Sequence, residues 1–157
     1  HIVAVLTDAA VHAVGFQGGD RGMLRLDDTG TVQTGRLAWL RTLTEQRVVP
    51  VVSTLVQAST GGGWTDMPLH ILMKTLAVSF PEATVACFAK GRLPSADDRA
   101  DPLSIDDLDE EAPAALADRE TVQAALSAGR EVFLTSVAGL FGTEKPEGIS
   151  IIPTKTP

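Results

Sequence analysis

Several features that define common classes of protein are scarce in this sequence of 157 residues. It has one cysteine, Cys87, which excludes an internal disulfide and a metal cluster built on cysteines. Basic residues are also few, with 13 Lys and Arg against 20 Asp and Glu and a formal net charge of −7. Because nucleic-acid-binding proteins normally carry a basic face, and no run of Lys and Arg is present, we expect no nucleic-acid partner.

Long apolar segments are missing too. The longest apolar run, Val48–Val56, contains Pro50 and polar residues, and it is far shorter than the roughly 20 residues that cross a bilayer. No signal peptide is visible, so we expect a cytoplasmic protein without a membrane partner. The length suits one domain, and the sequence enters an apolar pattern directly at His1. We therefore expect a single α/β domain over residues 1–157 that is part of a longer or two-chain protein.

What the sequence does contain is an alternation of helix and strand patterns. Apolar residues recur at helical spacing in residues 2–10, 36–46, 69–80 and 120–129. Short apolar or β-branched runs typical of buried strands occupy residues 12–16, 47–56, 84–88, 131–136 and 148–152. The alternation predicts an α/β fold, a three-layer sandwich with a largely parallel central sheet.

The stretch "STGGGWTD", residues 59–66, precedes the clearest helix pattern. Glycines before a helix N-terminus are typical of phosphate sites, but the stretch matches neither GxxxxGK[ST] nor GxGxxG. Two interpretations stay open: Thr65 or Asp66 is a helix N-cap after a mobile turn, or Asp66 acts on a lysine or Mg²⁺ held nearby. Trp64 is either a lid that stacks on a ligand or an exposed anchor of the loop.

Metal-ligand spacings are not found. The histidines His1, His12 and His70 are scattered, and no combination of His, Asp and Glu resembles a metal cage. The acidic run "DDLDEE", residues 106–111, is typical of a solvated segment. We expect no metal site formed by the protein alone.

Four segments, taken in order, carry a family resemblance. They are "AVGFQGGDRGMLRL" from residue 13, "LRTLTEQRVVPVVSTLV" from residue 40, "TVQAALSAGREVFLT" from residue 121 and "EGISII" from residue 147. Together with a loop that ends in Asp66 before a long helix, they resemble the C-terminal half of the amino-acid kinase family, most of all the N-acetylglutamate kinases. The resemblance covers residues 1–152 by pattern and order, with few identical residues.

The resemblance implies positions for the family's substrate residues. The family's N-x-N-x-D loop falls on residues 62–66, where Asp66 matches the aspartate that organises the catalytic lysines. Gly62, Gly63 and Trp64 stand at the substrate-binding positions, and both asparagines of the motif are replaced.

The family's nucleotide residues are matched less well. Its TDVxG motif falls near "FAKGRL", with Phe88 and Ala89 in place of the Thr and Asp, and the lysine of its GGMxPK motif falls on Thr121. The residues that the resemblance places beside a nucleotide are Lys90, Gly91 and Arg92. The family's first lysine and its glycine-rich phosphate loop belong to an N-terminal half that this chain lacks.

Two functions are compatible with the resemblance. The first is ATP-dependent phosphoryl transfer, with ATP and Mg²⁺, to the carboxylate of a small N-acylated amino acid. The second is a diverged, non-catalytic kinase fold that binds a small molecule or nucleotide as a regulatory or storage subunit. In either case the resemblance implies a homo- or hetero-oligomer, including one with a separate N-terminal-half chain.

Overall fold

The structure is a computed structural model that describes residues 1–89, 102–106, 119–136 and 148–153. The chain divides into two compact units, His1–Thr75 and Leu76–Pro157. That all 157 residues form a single α/β domain stays a prediction.

The first unit alternates short helices and strands. Its elements are α1 (Ile2–Asp8), β1 (Ala13–Gln17), a 3-10 turn (Asp20–Gly22), β2 (Leu24–Leu26), β3 (Val32–Thr34), α2 (Ala38–Glu45), β4 (Val49–Ser53), β5 (Leu55–Ala58) and β6 (Trp64–Asp66). α3 (Leu69–Ser79) begins in this unit and ends in the next. The helices predicted at residues 2–10 and 36–46 are confirmed. The first ends two residues early, and the second begins two residues late and ends one residue early.

β1 and β4 form a two-stranded parallel sheet with a helix on each face. α1 packs on one face, where a Cβ added to Gly15 would lie 3.2 Å from Val3 Cγ2. α2 packs on the other, where the Trp39 ring meets the Phe16 ring edge to face with centroids 4.5 Å apart. Because neighbouring residues of a strand point to opposite faces, Gly15 and Phe16 place the two helices on opposite sides of the sheet.

The second sheet of this unit has the strand order β3-β2-β5-β6. β2 and β5 are parallel, whereas β3 and β6 are antiparallel partners at the two edges. Its core side chains, all at most 2% exposed, are Met23, Leu24, Val56 and Met67.

The strand predicted at residues 47–56 is in fact two strands in different sheets. β4 ends at Ser53, which pairs with Gln17, and β5 begins at Leu55, which pairs with Asp66. Thr54 carries the chain from one sheet to the other. Both sheets accept β-branched residues, so the composition does not change where the chain changes sheet.

One carboxylate holds the turn between β2 and β3. Asp27 Oδ1 accepts hydrogen bonds from the Thr29 hydroxyl (2.6 Å) and from the backbone N–H groups of Thr29 (3.0 Å) and Thr31 (2.8 Å). These bonds favour the charged carboxylate, and the one from the Thr29 side chain contributes most to lowering the pKa of Asp27. The segment "DDTGT", residues 27–31, has the composition typical of a hairpin turn, and the structure forms one there.

The second unit contains a mixed four-stranded sheet. Its described elements are β7 (Val85–Phe88), β8 (Leu103–Ser104), α4 (Arg119–Ser127), β9 (Val132–Thr135) and β10 (Gly148–Ile152), and the strand order is β7-β9-β10-β8. β7 is parallel to β9 and β8 to β10, while β9 and β10 are antiparallel. β8 lies within residues 91–120, a segment rich in Asp, Ala and Pro whose composition is more typical of loop than of strand.

α4 ends at the glycine that its sequence predicts. Gly129 has φ of 74°, in the left-handed region that favours glycine. Its N–H donates to the Leu126 carbonyl at 2.9 Å, and the Arg130 N–H donates to the Ala125 carbonyl at 3.1 Å. These two bonds satisfy carbonyls in the last turn of the helix in the Schellman arrangement.

The predicted α/β class is confirmed, because helices accompany sheets that contain parallel pairs in both units. Within the ranges that the structure describes, no helix has the length and apolarity needed to cross a bilayer.

We expect Asp27→Asn to lower stability at neutral pH, because it keeps the acceptor oxygen and removes the charge that the turn stabilises. The folded pKa of Asp27 is lowered from its ordinary value of 3.8, so its contribution is complete above that value and is lost as the pH falls through the folded pKa. Urea midpoints of both proteins, measured from neutral to acid pH, should therefore converge. Asp8→Asn controls for net charge; an equal gap at every pH would contradict the prediction.

Candidate functional site

The carboxyl ends of β1 and β4 lie side by side. The two strands are parallel, and their last residues, Gln17 and Ser53, are paired in register. In open α/β sheets, ligands bind outside the carboxyl ends of parallel strands. The segments that leave this edge, residues 18–22 after β1 and Thr54 after β4, are therefore the first place to look for a site.

The turn after β1 approaches the neighbouring backbone so closely that only glycine fits. A Cβ on Gly18 would lie 2.9 Å from the Ser53 carbonyl oxygen, and one on Gly19 would lie 2.7 Å from the Gln57 backbone nitrogen. The Gly19 N–H donates to the Leu55 carbonyl at 3.0 Å. The turn is thus fixed against the start of β5.

Asp20 and Arg21 complete this turn. The Gln17 backbone N–H donates to Asp20 Oδ2 at 2.8 Å, which ties the carboxylate to the end of β1. Arg21 has a left-handed φ of 52°, and its guanidinium carbon lies 5.3 Å from the centre of the Trp39 ring. At this distance the cation is attracted to the face of the ring, so the arginine of this turn stacks on α2.

Asp66 lies on β6 beside the end of β4. It pairs with Leu55, and its exposed carboxylate accepts a long hydrogen bond of 3.4 Å from the Thr54 hydroxyl. The Met67 N–H donates to the Thr54 carbonyl at 2.9 Å, which fixes the backbone on both sides of Asp66. That Asp66 organises catalytic lysines stays a prediction.

The interpretation of Thr65 or Asp66 as a helix N-cap is wrong. Both residues belong to strand β6, and α3 begins only at Leu69. The N–H groups of Ile71 and Leu72, in the first turn of the helix, donate to the Pro68 carbonyl. Asp66 is paired with Leu55 and lies three residues before the helix begins, so it does not cap the helix.

Trp64 lies on the same face of β6 as Asp66, because alternate residues of a strand share a face. A Cβ on Gly19 would lie 2.8 Å from Trp64 Cζ3, which shows that the indole ring lies against the turn after β1. The ring is still 47% exposed. Trp64 thus anchors its hairpin on Gly19 and leaves about half of its surface open to a ligand.

Gly62 and Gly63 lie at the exposed tip of the β5–β6 hairpin. The Ala58 N–H donates to the Gly63 carbonyl at 2.9 Å and closes the turn. Gly62 has φ of 66°, a backbone conformation that favours glycine. A Cβ on Gly62 or Gly63 would have open space around it, so neither position is restricted by its neighbours. Among the contacts that the structure describes, Trp64 touches the turn after β1, whereas Gly62 and Gly63 do not.

The predicted nucleotide residues, Lys90, Gly91 and Arg92, lie outside the described residues. β7 ends just before them at Phe88, and the Ala89 N–H continues the sheet by donating to the Thr135 carbonyl at 2.8 Å. Thr121, at the position of a family lysine, is 5% exposed within α4 and so presents almost no surface to a ligand.

The edge at the ends of β1 and β4 carries two described carboxylates. Asp20 and Asp66 supply carboxylates that can orient an ammonium group or accept from bound water. In the described part of the chain, no three His, Cys, Asp or Glu side chains are grouped to hold a metal ion. A Mg²⁺ that arrives with a nucleotide needs only one or two carboxylates, whereas the cations that a triphosphate requires were predicted at Lys90 and Arg92.

Sequence reasoning missed Asp20 and Thr54 as members of this edge. In the sequence, Asp20 follows two glycines directly after one strand, and Thr54 belongs to a polar Ser-Thr pair inside the next β-branched run. These two patterns are far apart in sequence, and only the parallel pairing of the strands brings them to the same edge.

Comparison with known proteins identifies the fold. Neither a protein-family model nor a curated protein sequence matches the chain. Isopentenyl phosphate kinase is similar in structure, with a TM-score of 0.62 and 20% identity, over 96% of this chain and 64% of that one. E. coli aspartokinase III in complex with aspartate and ADP gives a TM-score of 0.59 and 19% identity, over 99% of this chain and 38% of that one. Aspartate kinase from Synechocystis gives a TM-score of 0.60 and 14% identity.

These proteins share the amino-acid kinase fold, so this chain has that fold. The predicted likeness to the amino-acid kinase family is confirmed at the level of fold, and the particular likeness to N-acetylglutamate kinases stays a prediction. The chain spans less than two thirds of the length of each of these kinases.

We expect Gly19→Ala to destabilise the first unit by about 1–3 kcal/mol, because the added methyl group meets both the Gln57 backbone and the Trp64 ring. Gly63→Ala is the matched control, since its methyl group meets nothing within 4 Å. Urea denaturation followed by tryptophan fluorescence measures both. Equal stability of the two variants would show that the turn is not fixed as described.

Proposed function

We propose that this chain is part of an ATP-dependent kinase that transfers a phosphoryl group to the carboxylate of a small acid such as an N-acylated amino acid. The observation that carries the proposal is the exposed carboxylate of Asp66, held beside the carboxyl end of β4 by Thr54 in an amino-acid kinase fold. An aspartokinase with this fold holds aspartate and ADP in its structure, which supports a small carboxylate as acceptor.

Asp66 has the geometry of an organising group. Phosphoryl transfer requires little covalent chemistry from the protein and depends on positioning and on neutralising the charge of the phosphates. A carboxylate that accepts from a lysine ammonium fixes that ammonium by a charge-assisted hydrogen bond. We therefore assign Asp66 to orienting a lysine that contacts the transferred phosphoryl group.

The acceptor would lie over the turn after β1. Gly18 and Gly19 are themselves buried against Ser53 and Gln57, so they would fix the position of the turn and would not contact the acceptor. The open half of the Trp64 ring offers an apolar surface for the acyl group, and the hairpin tip at Gly62 and Gly63 offers exposed backbone. The nucleotide is assigned to Lys90, Gly91 and Arg92, with ATP accompanied by Mg²⁺.

The wider setting follows from the same proposal. The first lysine and the phosphate loop would come from an N-terminal half, in the same or a second chain, within a homo- or hetero-oligomer. A small-molecule ligand and a cytoplasmic location complete the proposal.

Two observations favour the alternative, a non-catalytic kinase fold that binds a small molecule or nucleotide. The described cation nearest this edge in sequence, Arg21, is stacked on Trp39, and a family lysine is replaced by the buried Thr121. Losing electrostatic groups of this kind costs about 10²–10³-fold in rate for each group. Such a protein would bind ATP and form no ADP.

Asp66→Asn should reduce ADP formation by about 10²–10³-fold, since the amide keeps the shape and loses the charge that orients the lysine. Coupled ADP release, measured on the full protein with ATP, Mg²⁺ and a panel of small acylated amino acids, tests this. Asp8→Asn, the same change at an exposed position on α1, should leave the rate unchanged. A rate unaffected by Asp66→Asn would remove this residue from the mechanism.

Titration with ATP and Mg²⁺ separates the two functions. In a Trp39→Phe background, Trp64 is the sole tryptophan, and we expect its fluorescence to change on addition of the acceptor acid. ATP binding without ADP formation from any acid would support the non-catalytic alternative. If the full protein does not bind ATP, both the proposed kinase activity and the proposed nucleotide binding are wrong.

A further inference from the structure

The turn after β1 places an arginine where the backbone favours glycine. Arg21 has φ of 52°, in the left-handed region, and the next residue, Gly22, has φ of 69°. A Cβ in this region crowds the backbone, so a residue other than glycine costs free energy there. Three neighbouring positions in the turn, Gly18, Gly19 and Gly22, are already glycine. The arginine side chain is therefore retained against the preference of its position, which makes it a candidate for a function.

Trp39, the second residue of α2, is also retained against a local preference. Its Nε1–H is buried and has no hydrogen-bond partner within the described residues, and an unpaired buried donor lowers stability. The ring meets the Phe16 ring edge to face at 4.5 Å, and the guanidinium carbon of Arg21 lies 5.3 Å from its centre. Indole attracts a cation more strongly than the other aromatic side chains do. Trp39 thus contributes a ring that packs on β1 and holds the guanidinium.

The guanidinium is held in place without a hydrogen-bond acceptor. Arg21 is exposed, and in the part of the chain that the structure describes its side chain forms no hydrogen bond or ion pair. The neighbouring carboxylate, that of Asp20, instead accepts from the Gln17 N–H at 2.8 Å. A ring face offers no lone pair, so the planar fork of N–H donors stays available for a carboxylate or phosphate. A cation that is restrained before its ligand arrives loses little freedom on binding, which favours affinity.

This guanidinium belongs to the edge that forms the candidate site. Arg21 lies two residues after Gly19, whose close contacts fix the turn beside β5 and Trp64. The two carboxylates of this edge, those of Asp20 and Asp66, would repel an anionic ligand. A cation near them offsets that repulsion, and Arg21 is the cation that the turn itself provides.

We propose that Arg21 binds an oxyanion of the ligand at this edge, a carboxylate or a phosphate group, and that Trp39 is a positioning residue that holds the guanidinium for it. The inference deepens the proposed function and rests on it only in placing the ligand beside the end of β1. It holds equally for a ligand that is bound without turnover. Because the guanidinium is restrained on α2, it selects anionic over neutral ligands and does not replace the lysine that contacts the transferred phosphoryl group.

An NMR titration of the arginine side chains tests the contact directly. The probes are N-acetylglycine and inorganic phosphate, added without ATP to the full protein, and N-acetylglycinamide is the neutral control. The Nε–H signal of Arg21 should shift saturably with at least one of the two anions and not with the amide. Arg25, exposed on β2, is the internal reference.

The two anions distinguish the source of the oxyanion. Saturation with phosphate alone supports the proposal with a phosphate group as ligand, and saturation with N-acetylglycine alone supports it with a carboxylate. A shift at Arg21 no larger than that at Arg25, or an equal shift with the neutral amide, overturns the proposal.

Arg21→Gly separates binding from stability. Glycine relieves the left-handed backbone as it removes the guanidinium, so the urea midpoint should stay close to that of the parent. Affinity for the saturating anion should fall at least ~10-fold, as expected for a lost charge-assisted hydrogen bond. Arg21→Lys keeps the charge but loses the fork, and its affinity should lie between the two.

Arg25→Ala is the matched control, because it removes the same charge from an exposed position on β2 and should bind as the parent does. If Arg21 served only to pack against α2, Arg21→Gly would lower the urea midpoint, and neither Arg21→Gly nor Arg21→Lys would change the affinity. That result contradicts the proposal.

A double-mutant cycle tests the positioning role of Trp39. Trp39→Leu removes the ring and should weaken anion binding at least ~3-fold, whereas Trp39→Phe keeps a ring face and should retain most of the affinity. In an Arg21→Gly background, Trp39→Leu should cause no further loss, because the guanidinium that it positions is absent. Additive losses would give Trp39 a general structural role and contradict its part in the proposal.

Failure of this inference and failure of the proposed function are distinguishable. Anion binding at Arg21 with no ADP formation from any acid would reject only the proposed activity. ADP formation whose KM for the acid is unchanged by Arg21→Gly would reject only this inference.

Discussion

The parallel pairing of β1 with β4 is the constraint on which the rest of the first unit depends. Its register brings Gln17 beside Ser53, so the turn after one strand and the crossover after the other meet at one edge. The Gly18–Gly19 backbone then packs against Ser53 and Gln57 at distances that exclude a Cβ. This contact joins the turn after β1 to β5, whose partner strand β6 carries Trp64 and Asp66.

The second sheet places Asp66 beside this edge. As a helix cap, its carboxylate would have been used within α3. In β6 it instead pairs with Leu55, directly after Thr54, and its carboxylate remains exposed. Trp64, two residues earlier, reaches Gly19 from the same face. The short β5–β6 hairpin therefore joins an acidic group and an aromatic surface to the turn after β1.

Much of the fold could be predicted from local pattern. The helices, the turn at Asp27–Thr31 and the cap at Gly129 depend on neighbours in sequence, and the structure confirms them. The split at Thr54 could not be predicted, because two different sheets both select β-branched residues there. Asp20 was missed for a similar reason: its role depends on the Gln17 backbone at the end of a strand, and no spacing in the sequence marks that strand end as a site.

By itself, the sequence determined the α/β class, the periodicity of the helices and the turns that need glycine or aspartate, since each follows from residues within one helical turn or one hairpin. The tertiary structure alone decided which strand ends share an edge, on which face α1 and α2 lie, and that Asp66 belongs to a strand. Those features depend on backbone pairing between segments some 35 residues apart, such as Gln17 with Ser53, and backbone hydrogen bonds carry no signature in side-chain composition.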